Sequence, residues 1–584
     1  MKTLFKSIFG LVAALTGLLS LINVQSAKAN TLRGEALAAS TPPLLSNIQA
    51  IDAGGSHTCA LTDGGDLKCW GANFSGEIGD GTTYNRFAPM NVLGLSSGII
   101  AISSGSEFSC AVTSEGQVKC WGKNEHGQLG DGTTVNRRTP VDVAGLSDDV
   151  TAITTGHFHA CALTVNHKVQ CWGKNDEGQL GDGTTTSHDS PVEVVGIAED
   201  VIAVDAGKLH TCAVTSDGGV KCWGYNIYGQ LGDQTTAQRL TPTDVFGLTS
   251  GVLSVSAGGY HTCALTTAGG VKCWGLNHNG ELGNGQNTNS SIPVNVSGMA
   301  GGMVSVQTGH EHTCAVSASG KSKCWGLNQN GQLGDGTLVD RNRPVAVVGL
   351  SSGVQELSTG YSHSCALLSA GNVKCWGYND FGQLGDGSAI ERLTPVNVLD
   401  LKVAIFRSNP TLDGTILETA ENSNVGGTVN SSGSSLFVGD DNSDRQYRSI
   451  VSFNTSILPD TAIIHNATFG LFWAGAVGTD PYWSLRVFDI RRGVFGASAS
   501  LQADDFQAPA SLSAIGPLFI NETYSDGLLS DAAFPYFNLT GNTQFRVRYE
   551  EDDNDNKSAD YVMLYSGEAQ TQYRPLLTVY YFVP

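Results

Sequence analysis

Residues 110–140 read CAVTSEGQVKCWGKNEHGQLGDGTTVNRRTP, and the same stretch returns six more times along the chain with no change in length. Its two cysteines set the ruler. Cys59 and Cys69, Cys110 and Cys120, Cys161 and Cys171, Cys212 and Cys222, Cys263 and Cys273, Cys314 and Cys324, and Cys365 and Cys375 recur with a period of 51 and make up all 14 cysteines of the protein. A period of about 50 built from short strands and Gly-rich turns marks a β-propeller, because one small sheet cannot bury both faces until neighbours stack on it. Seven copies predict seven blades.

In the first copy, strands are expected at 48–53, 57–62, 67–71 and near 89–93, with turns at Gly54-Gly55 and Asp63-Gly64-Gly65. Alternation then puts His57, Cys59, Leu61, Leu67 and Cys69 on one face of the sheet and Thr58, Ala60, Lys68 and Trp70 on the other. The cysteine face is expected to meet one neighbouring blade and the tryptophan face the other. Cysteines opposed on adjacent strands have Cα atoms about 4.5–5.5 Å apart, within disulfide range. Zinc is the rival use of paired cysteines, but the nine-residue interval lacks ligand spacing. Chain entropy gives each bridge about 2.8 kcal/mol as an upper figure.

The N-terminus carries Lys2 and Lys6, an apolar run over 8–24, and Ala27-Lys28-Ala29, which together read as a signal peptide at 1–29. A retained membrane anchor is the competing reading, since the run is long for a signal. Cleavage leaves 30 basic against 54 acidic residues, a net charge of −24, which disfavours nucleic acid as a partner. The expected location is secreted or cell-surface, with no membrane span after cleavage, and there regularly paired cysteines form disulfides. The expected divisions are a linker at 30–47, the propeller at 48–399 and a second domain at 400–584.

Positions common to every copy are read as structural. A histidine two before the first cysteine occurs six times, with Phe108 in the second copy, and each imidazole is expected to bond a backbone group of its own blade. The acids after GQLG (Asp80, Asp131, Asp182, Asp233, Asp335 and Asp386, with Asn284 in the fifth copy) are expected to bond their own turn. Positions that vary between copies are candidates for recognition. Phe74, His126, Phe158, Tyr228, Tyr260, Tyr361 and Phe381 are proposed to form a protein-binding face; unconstrained loops are the competing reading.

GxxHTCAL, VKCWGxN, GQLGDGT and PVxVxGL together resemble the regulator of chromosome condensation repeat family over 48–399. The resemblance implies a seven-bladed propeller. The family's founding role, nucleotide exchange on a nuclear GTPase through an inserted wedge, does not carry over to seven uninterrupted copies behind an export signal. What it does imply is partner binding across one face, as in its extracellular members, secreted β-lactamase inhibitors among them.

After residue 403 no cysteine occurs, and alternating segments at 448–453, 467–472, 485–490, 544–549, 561–565 and 576–582 predict a jelly-roll β-sandwich. The fold class is therefore all-β throughout. The stretch 435–473, with Arg448-Ser449, Ile457-Leu458-Pro459 and Ala467-Thr468, and Arg574-Pro575 near the end, resembles the DNRLRE-domain family, jelly rolls related to carbohydrate-binding modules. Trp473, Tyr482 and Trp483 are candidate sugar platforms. Asp440, Asp441 and Asp444, and Asp552, Asp553 and Asp555, are oxygen-rich sites suited to calcium, against the plainer reading of solvated loops. No cofactor is otherwise required. Without a nucleophile elbow, zinc signature or phosphate loop, the expectation is a non-enzymatic recognition protein that binds a protein partner and extracellular polysaccharide or cell envelope. The alternatives are a secreted enzyme inhibitor or an accessory part of a polysaccharide-degrading enzyme.

Overall fold

The computed structural model describes residues 41–584 apart from 421–422, 424, 442, 444, 478–485, 496–500, 514–523 and 550–559. The signal segment, Tyr482, Trp483, Asp444, Asp552, Asp553 and Asp555 lie outside the described residues. Seven antiparallel four-stranded sheets, each contiguous in sequence, make the propeller. In blade 1 they are β1 (Ile48–Ala53), β2 (His57–Thr62), β3 (Leu67–Gly71) and β4 (Arg86–Asn91). Three strands fall where the sequence predicts. The fourth begins earlier, because Gly71 pairs with Arg86 across an irregularity beside Cys69, which pulls the strand toward the upper end of the blade.

Cys59 and Cys69 stand directly opposite each other in the β2/β3 ladder and are bonded. The same bond joins Cys110 to Cys120, Cys161 to Cys171, Cys212 to Cys222, Cys263 to Cys273, Cys314 to Cys324 and Cys365 to Cys375, so no cysteine is free. Their Cα atoms are 4.0–4.1 Å apart, closer than the spacing expected of an uncrosslinked ladder, because each bond draws its two strands together. The two faces are used as alternation requires. Cys59, Leu61, Leu67 and Cys69 pack with Ala111 and Trp121 of blade 2, while Ala60 and Trp70 pack with Cys365, Leu367 and Cys375 of blade 7. In the same way Cys161 and Cys171 pack on Trp223, Cys263 and Cys273 on Trp325, and Cys314 and Cys324 on Trp376. All seven of these tryptophans are fully buried. Burying an aromatic of this size contributes several kcal/mol, so each interface is anchored by one indole set against the preceding blade's disulfide.

The interfaces are also hydrogen bonded, and here one expectation is corrected. Each histidine reaches across to the next blade rather than to its own backbone. His57 Nε2 meets Ser109 Oγ at 2.8 Å, His210 meets Thr262 at 2.9 Å, and His363 closes the ring on Thr58 at 2.9 Å. The hydroxyl donates onward, as Thr262 does to Gln230 O (2.8 Å), and the Trp274 indole N–H donates to that same carbonyl (2.8 Å). A hydroxyl that donates there must accept from the imidazole, which fixes the proton on Nε2 and leaves Nδ1 buried without a partner. Burial holds His57 down to about 4 and His210 to about 3, so these rings are neutral. Where Phe108 replaces the histidine, Ala160 replaces the hydroxyl in the next blade, and the two share an apolar cluster.

Nearer the axis, a second ring of bonds links blades. The side chains of Asp52, Ser103, Thr154, Asp205, Ser256 and Ser358 each accept an amide N–H from the following blade, as Asp205 does from Ala257 at 2.7 Å. At the upper turn Gly55 N–H donates to Gly105 O (2.9 Å), and a Cβ on Gly54 would stand 2.5 Å from that oxygen, which is why glycine recurs there.

Ring closure also departs from expectation. The strands near Ile48 and Pro395 do not share a blade: the last sheet is complete with Arg392–Asn397, and β1 pairs only with β2. Residues 43–45 instead lie along the end of blade 7. Leu45 N–H donates to Val398 O (3.0 Å), just as Leu350 N–H donates to Val347 O (3.3 Å) in blade 6, and Asp400 N–H returns to Pro43 O (2.8 Å). Leu45 thus supplies the apolar plug of blade 7, because Leu401, the equivalent of Leu350, packs instead with Tyr580 and Phe582.

The C-terminal strands form one curled sheet of 11 strands in the order Lys402–Arg407, Leu576–Phe582, Ile463–Val477, Asp560–Tyr565, Ser435–Asp440, Gln446–Asn454, Gly414–Glu418, Gly426–Asn430, with Arg486–Arg492, Tyr524–Leu528 and Asn542–Tyr549 branching from it. The long strand Ile463–Val477 passes between both halves through an irregularity at Trp473/Gly475, and the curl encloses Val451, Phe453, Phe469, Phe545 and Val579. This domain docks on the edge of blade 1. Phe87 and Ala88 are buried against Leu401, Tyr580 and Phe582, and His465 Nε2 meets Asp386 O of blade 7 at 3.1 Å.

Candidate binding face

Two sets of loops emerge on the upper face, the turns between first and second strands and the longer loops between third and fourth. Each long loop is built around the Asn of WGxN. Asn124 Oδ1 accepts Leu129 N–H (2.9 Å), while Nδ2 donates to Asp131 Oδ1 (3.1 Å), Thr133 O (2.9 Å) and Val135 O (3.2 Å). Asp131 in turn takes Arg137 Nε (2.9 Å). Burial alone would raise the Asp131 carboxyl, but the bonds from Thr133 and Arg137 outweigh it and hold it below the usual range. The repeated acids therefore bond their own loops, with an arginine as counter-ion in five blades and His188 facing Asp182 in blade 3. In blade 5 both partners change together, to Asn284 and Ser290.

On this scaffold the variable positions come together. His126 meets Phe158 (ring centroids 5.4 Å), Phe158 meets His157 (5.8 Å), and His157 meets Tyr361 (4.4 Å). The band continues through His310 (4.9 Å) to Tyr260 (5.7 Å) and Tyr228 (5.3 Å). Five of the seven residues read from the sequence thus lie on one aromatic band that crosses the axis. Phe74 and Phe381 make a separate edge-to-face pair at 5.2 Å, joined by Tyr378. Tyr361 sits closer to the axis than the sequence reading places it: it is equivalent to Gly55, Ser106, His157, Lys208, Gly259 and His310, one position before Glu107 and Phe158.

That inner position is what the sequence does not point to, and its signal is the first variable residue after the recurrent glycine. Its side chains line an axial funnel open to solvent. Tyr361 Oη donates to Ser106 Oγ (2.9 Å) and contacts His157 Nδ1, and burial pushes the phenol above its ordinary value. His157 is held well below the ordinary imidazole range, first by burial and then by His310 and Lys208. His310 is lowered to about 4 by burial and Lys208. Outside the band, Glu77 and Glu281 replace the glutamine of GQLG, and in each case the next blade supplies a glutamate, Glu107 or Glu311. Burial, reinforced by those neighbours, raises both Glu77 and Glu281 to about 7.

In the C-terminal domain, Trp473 packs against the core rather than standing as an open platform. Half-buried rings do cluster elsewhere: Phe437, Tyr447 and Tyr561 lie 5.4–5.6 Å apart on neighbouring strands. Of the calcium candidates, Asp441 is engaged by Arg445 and by the Ser443 N–H (2.9 Å). Among the described residues no group of three or more His, Cys, Asp or Glu is placed to hold a metal, and no helix is long and apolar enough to cross a membrane.

Fold and face together define a disulfide-stapled, seven-bladed propeller carrying an aromatic face at one end of its axis. The chain belongs to the RCC1-like domain family, whose profile matches residues 17–350 and 149–443. It is 32% identical to the ultraviolet-B receptor UVR8 of Arabidopsis thaliana over 65% of this chain and 86% of that protein. It is also 32% identical to the human E3 ubiquitin-protein ligase HERC2 over 52% of this chain, though only 6% of that much longer protein. Among solved structures, human WBSCR16 superposes with a TM-score of 0.52 at 24% identity, covering 58% of this chain and 96% of that one. Yeast RCC1 (Prp20), solved with Kap60, gives 0.52 at 21% identity, covering 58% and 86%. These two likenesses concern the fold.

Proposed function

We propose that the protein is an exported, non-enzymatic recognition protein whose upper propeller face binds a protein partner. The single observation that carries this reading is the aromatic band, formed at the positions that vary between otherwise uniform blades. Aromatic side chains grouped on loops over a rigid scaffold are the usual anchors of protein interfaces. The family supports an interaction scaffold, and one solved relative is described bound to another protein. Export is supported by the N-terminal segment and by the complete pairing of the cysteines. The C-terminal domain, with its jelly-roll and carbohydrate-module resemblance, would hold the propeller to polysaccharide or envelope, through the Phe437/Tyr447/Tyr561 group or the exposed Tyr573 stacked on Tyr565 at 5.0 Å. An exported inhibitor of another enzyme would use the same propeller face.

The test is site-specific photocrosslinking in the full-length protein. A crosslinker at Tyr228 or Phe158, on the band, is expected to trap one partner reproducibly, and the same crosslinker at Phe246, on the lower face, is expected to trap none. Equal yields from both faces would defeat the reading.

A further inference from the structure

The axial funnel contains an ammonium without an anion. Lys208 is half-buried, and among the described residues no carboxylate lies within ion-pairing distance of it; Lys123 and Lys174 on the same face pair with Glu107 at 3.1 Å and Asp176 at 3.3 Å. Its Nζ lies 3.3 Å from His310 Nε2 and 4.5 Å from the centroid of Tyr260. An ammonium has three N–H donors. The imidazole takes one, the Tyr260 ring faces a second, and the third has no acceptor among the described residues, while the lysine lines the funnel. Below, Asp52 and Asp205 are tied to the amide N–H groups of Ser104 and Ala257 and do not reach the lysine. His157 and His310 stack at 5.4 Å and wall the opening with neutral aromatic surface.

A half-buried cation in such a setting is matched by one anionic group, and a single lysine in a chain of net charge −21 does not suit a polyanion. We propose that the funnel is a receptor for one carboxylate carried on an apolar body, bound by Lys208, itself backed by Tyr260, and walled by His157, His310 and Tyr361. The proposal rests on the reading of this face as a recognition surface and names the chemistry at its centre. The carboxylate belongs either to a free organic acid or to a polypeptide, and the two are separable.

The experiment titrates full-length protein with phenylacetate, phenylacetamide and N-acetylglycyl-phenylalanine, following the ring nitrogens of His157 and His310 by NMR. Both acids are expected to give saturable shifts and the amide none. Lys208→Met is expected to weaken the acids by about tenfold or more, and Lys208→Arg, which keeps the charge, by about threefold or less. Unchanged thermal unfolding of both variants would show that the funnel is intact. Tighter binding of the dipeptide than of phenylacetate assigns the carboxylate to a polypeptide, and equal binding assigns it to a free acid. Binding of the amide as well as the acid, no saturation, or indifference to Lys208→Met would overturn the proposal. Acid binding without face-specific crosslinks would remove the protein-partner reading and leave the funnel, whereas crosslinks without acid binding would do the reverse.

Discussion

Six junctions between blades are joined by a histidine and a hydroxyl, and the junction between blades 2 and 3 by Phe108 and Ala160. Both solutions occupy the same place beneath the same tryptophan. Trp172, at the apolar junction, keeps its bond to Gln128 O at 2.9 Å, as Trp223 keeps its own to Gln179 O at 2.9 Å. The indole and the disulfide are therefore the constant parts of the interface, while the polar pair is one of two ways to fill the space left beside them. A buried pair of this kind is worth about 1 kcal/mol net when complete, and leaving one partner unsatisfied costs more than replacing both.

The comparison predicts its largest effect in acid. Unfolding releases six imidazoles whose ordinary value is 6.5, whereas five of the native rings sit at about 3 and His57 at about 4. The stability they protect is complete above about pH 6.5 and is lost as pH falls, at up to about 8 kcal/mol per pH unit in the limit. Buried carboxyls act with the opposite sign. Asp52, Glu77, Glu281, Glu356 and Asp413, raised to about 7, stabilise most at low pH and lose that contribution as pH rises through 7. Urea unfolding between pH 3 and 8 should show a maximum near pH 6, modest slopes on either side, and a steep loss below about pH 4, where the raised carboxyls no longer oppose the imidazoles and depressed aspartates such as Asp131 add to the loss.

Next in size is the disulfide. Replacing Cys110 and Cys120 together with serine should cost up to about 2.8 kcal/mol, and replacing Cys212 and Cys222 should cost the same, because the loops are equal. Unequal losses by chemical denaturation would mean that the staple is coupled to the polar pair. A His210→Phe change alone should cost about 1–3 kcal/mol, by crowding Thr262 and removing its donor. Adding Thr262→Ala, which rebuilds the apolar junction, should recover most of it in a double-mutant cycle. Simple additivity of the two changes would break the comparison. The smallest effect lies on the loops: Asp335→Asn, which imitates blade 5, should cost about 1 kcal/mol through its contacts with Arg341, Thr337 and Asn328. A matching Asn284→Asp change in blade 5, where Ser290 stands in place of the arginine, should bring no gain.

The lattice of cysteines carries the blade count, the opposed disulfide pairs and the two-sided packing, because these follow from period and alternation alone. The histidine partners do not follow. A repeat marks the position of each imidazole without saying which neighbour it meets, and the contact is with the next blade rather than with the same one. The change from HTC to FSC in blade 2 and to HAC in blade 3 is the sequence trace of that contact, visible once the two copies are read as a pair. The recognition face is readable as a set of variable loop residues. Its axial part is less so, since Lys208, His157 and His310 acquire meaning only when seven turns converge on one funnel. In the C-terminal domain, the strand Leu576–Phe582 matches expectation end for end, while Trp473 turns toward the core because its strand passes between the two halves of the curl.

The peptide around Leu45 sets a timetable for the molecule. Its acceptor at Val398 lies roughly 350 residues further along the chain, so at about 5–20 residues per second the first segment made waits some 20–70 s for the last blade to exist. Until then six blades stand as an open arc, with the indole of blade 1 uncovered at one end and the disulfide face of the latest blade at the other. The circle becomes a closed object only when the earliest and latest parts of its synthesis meet.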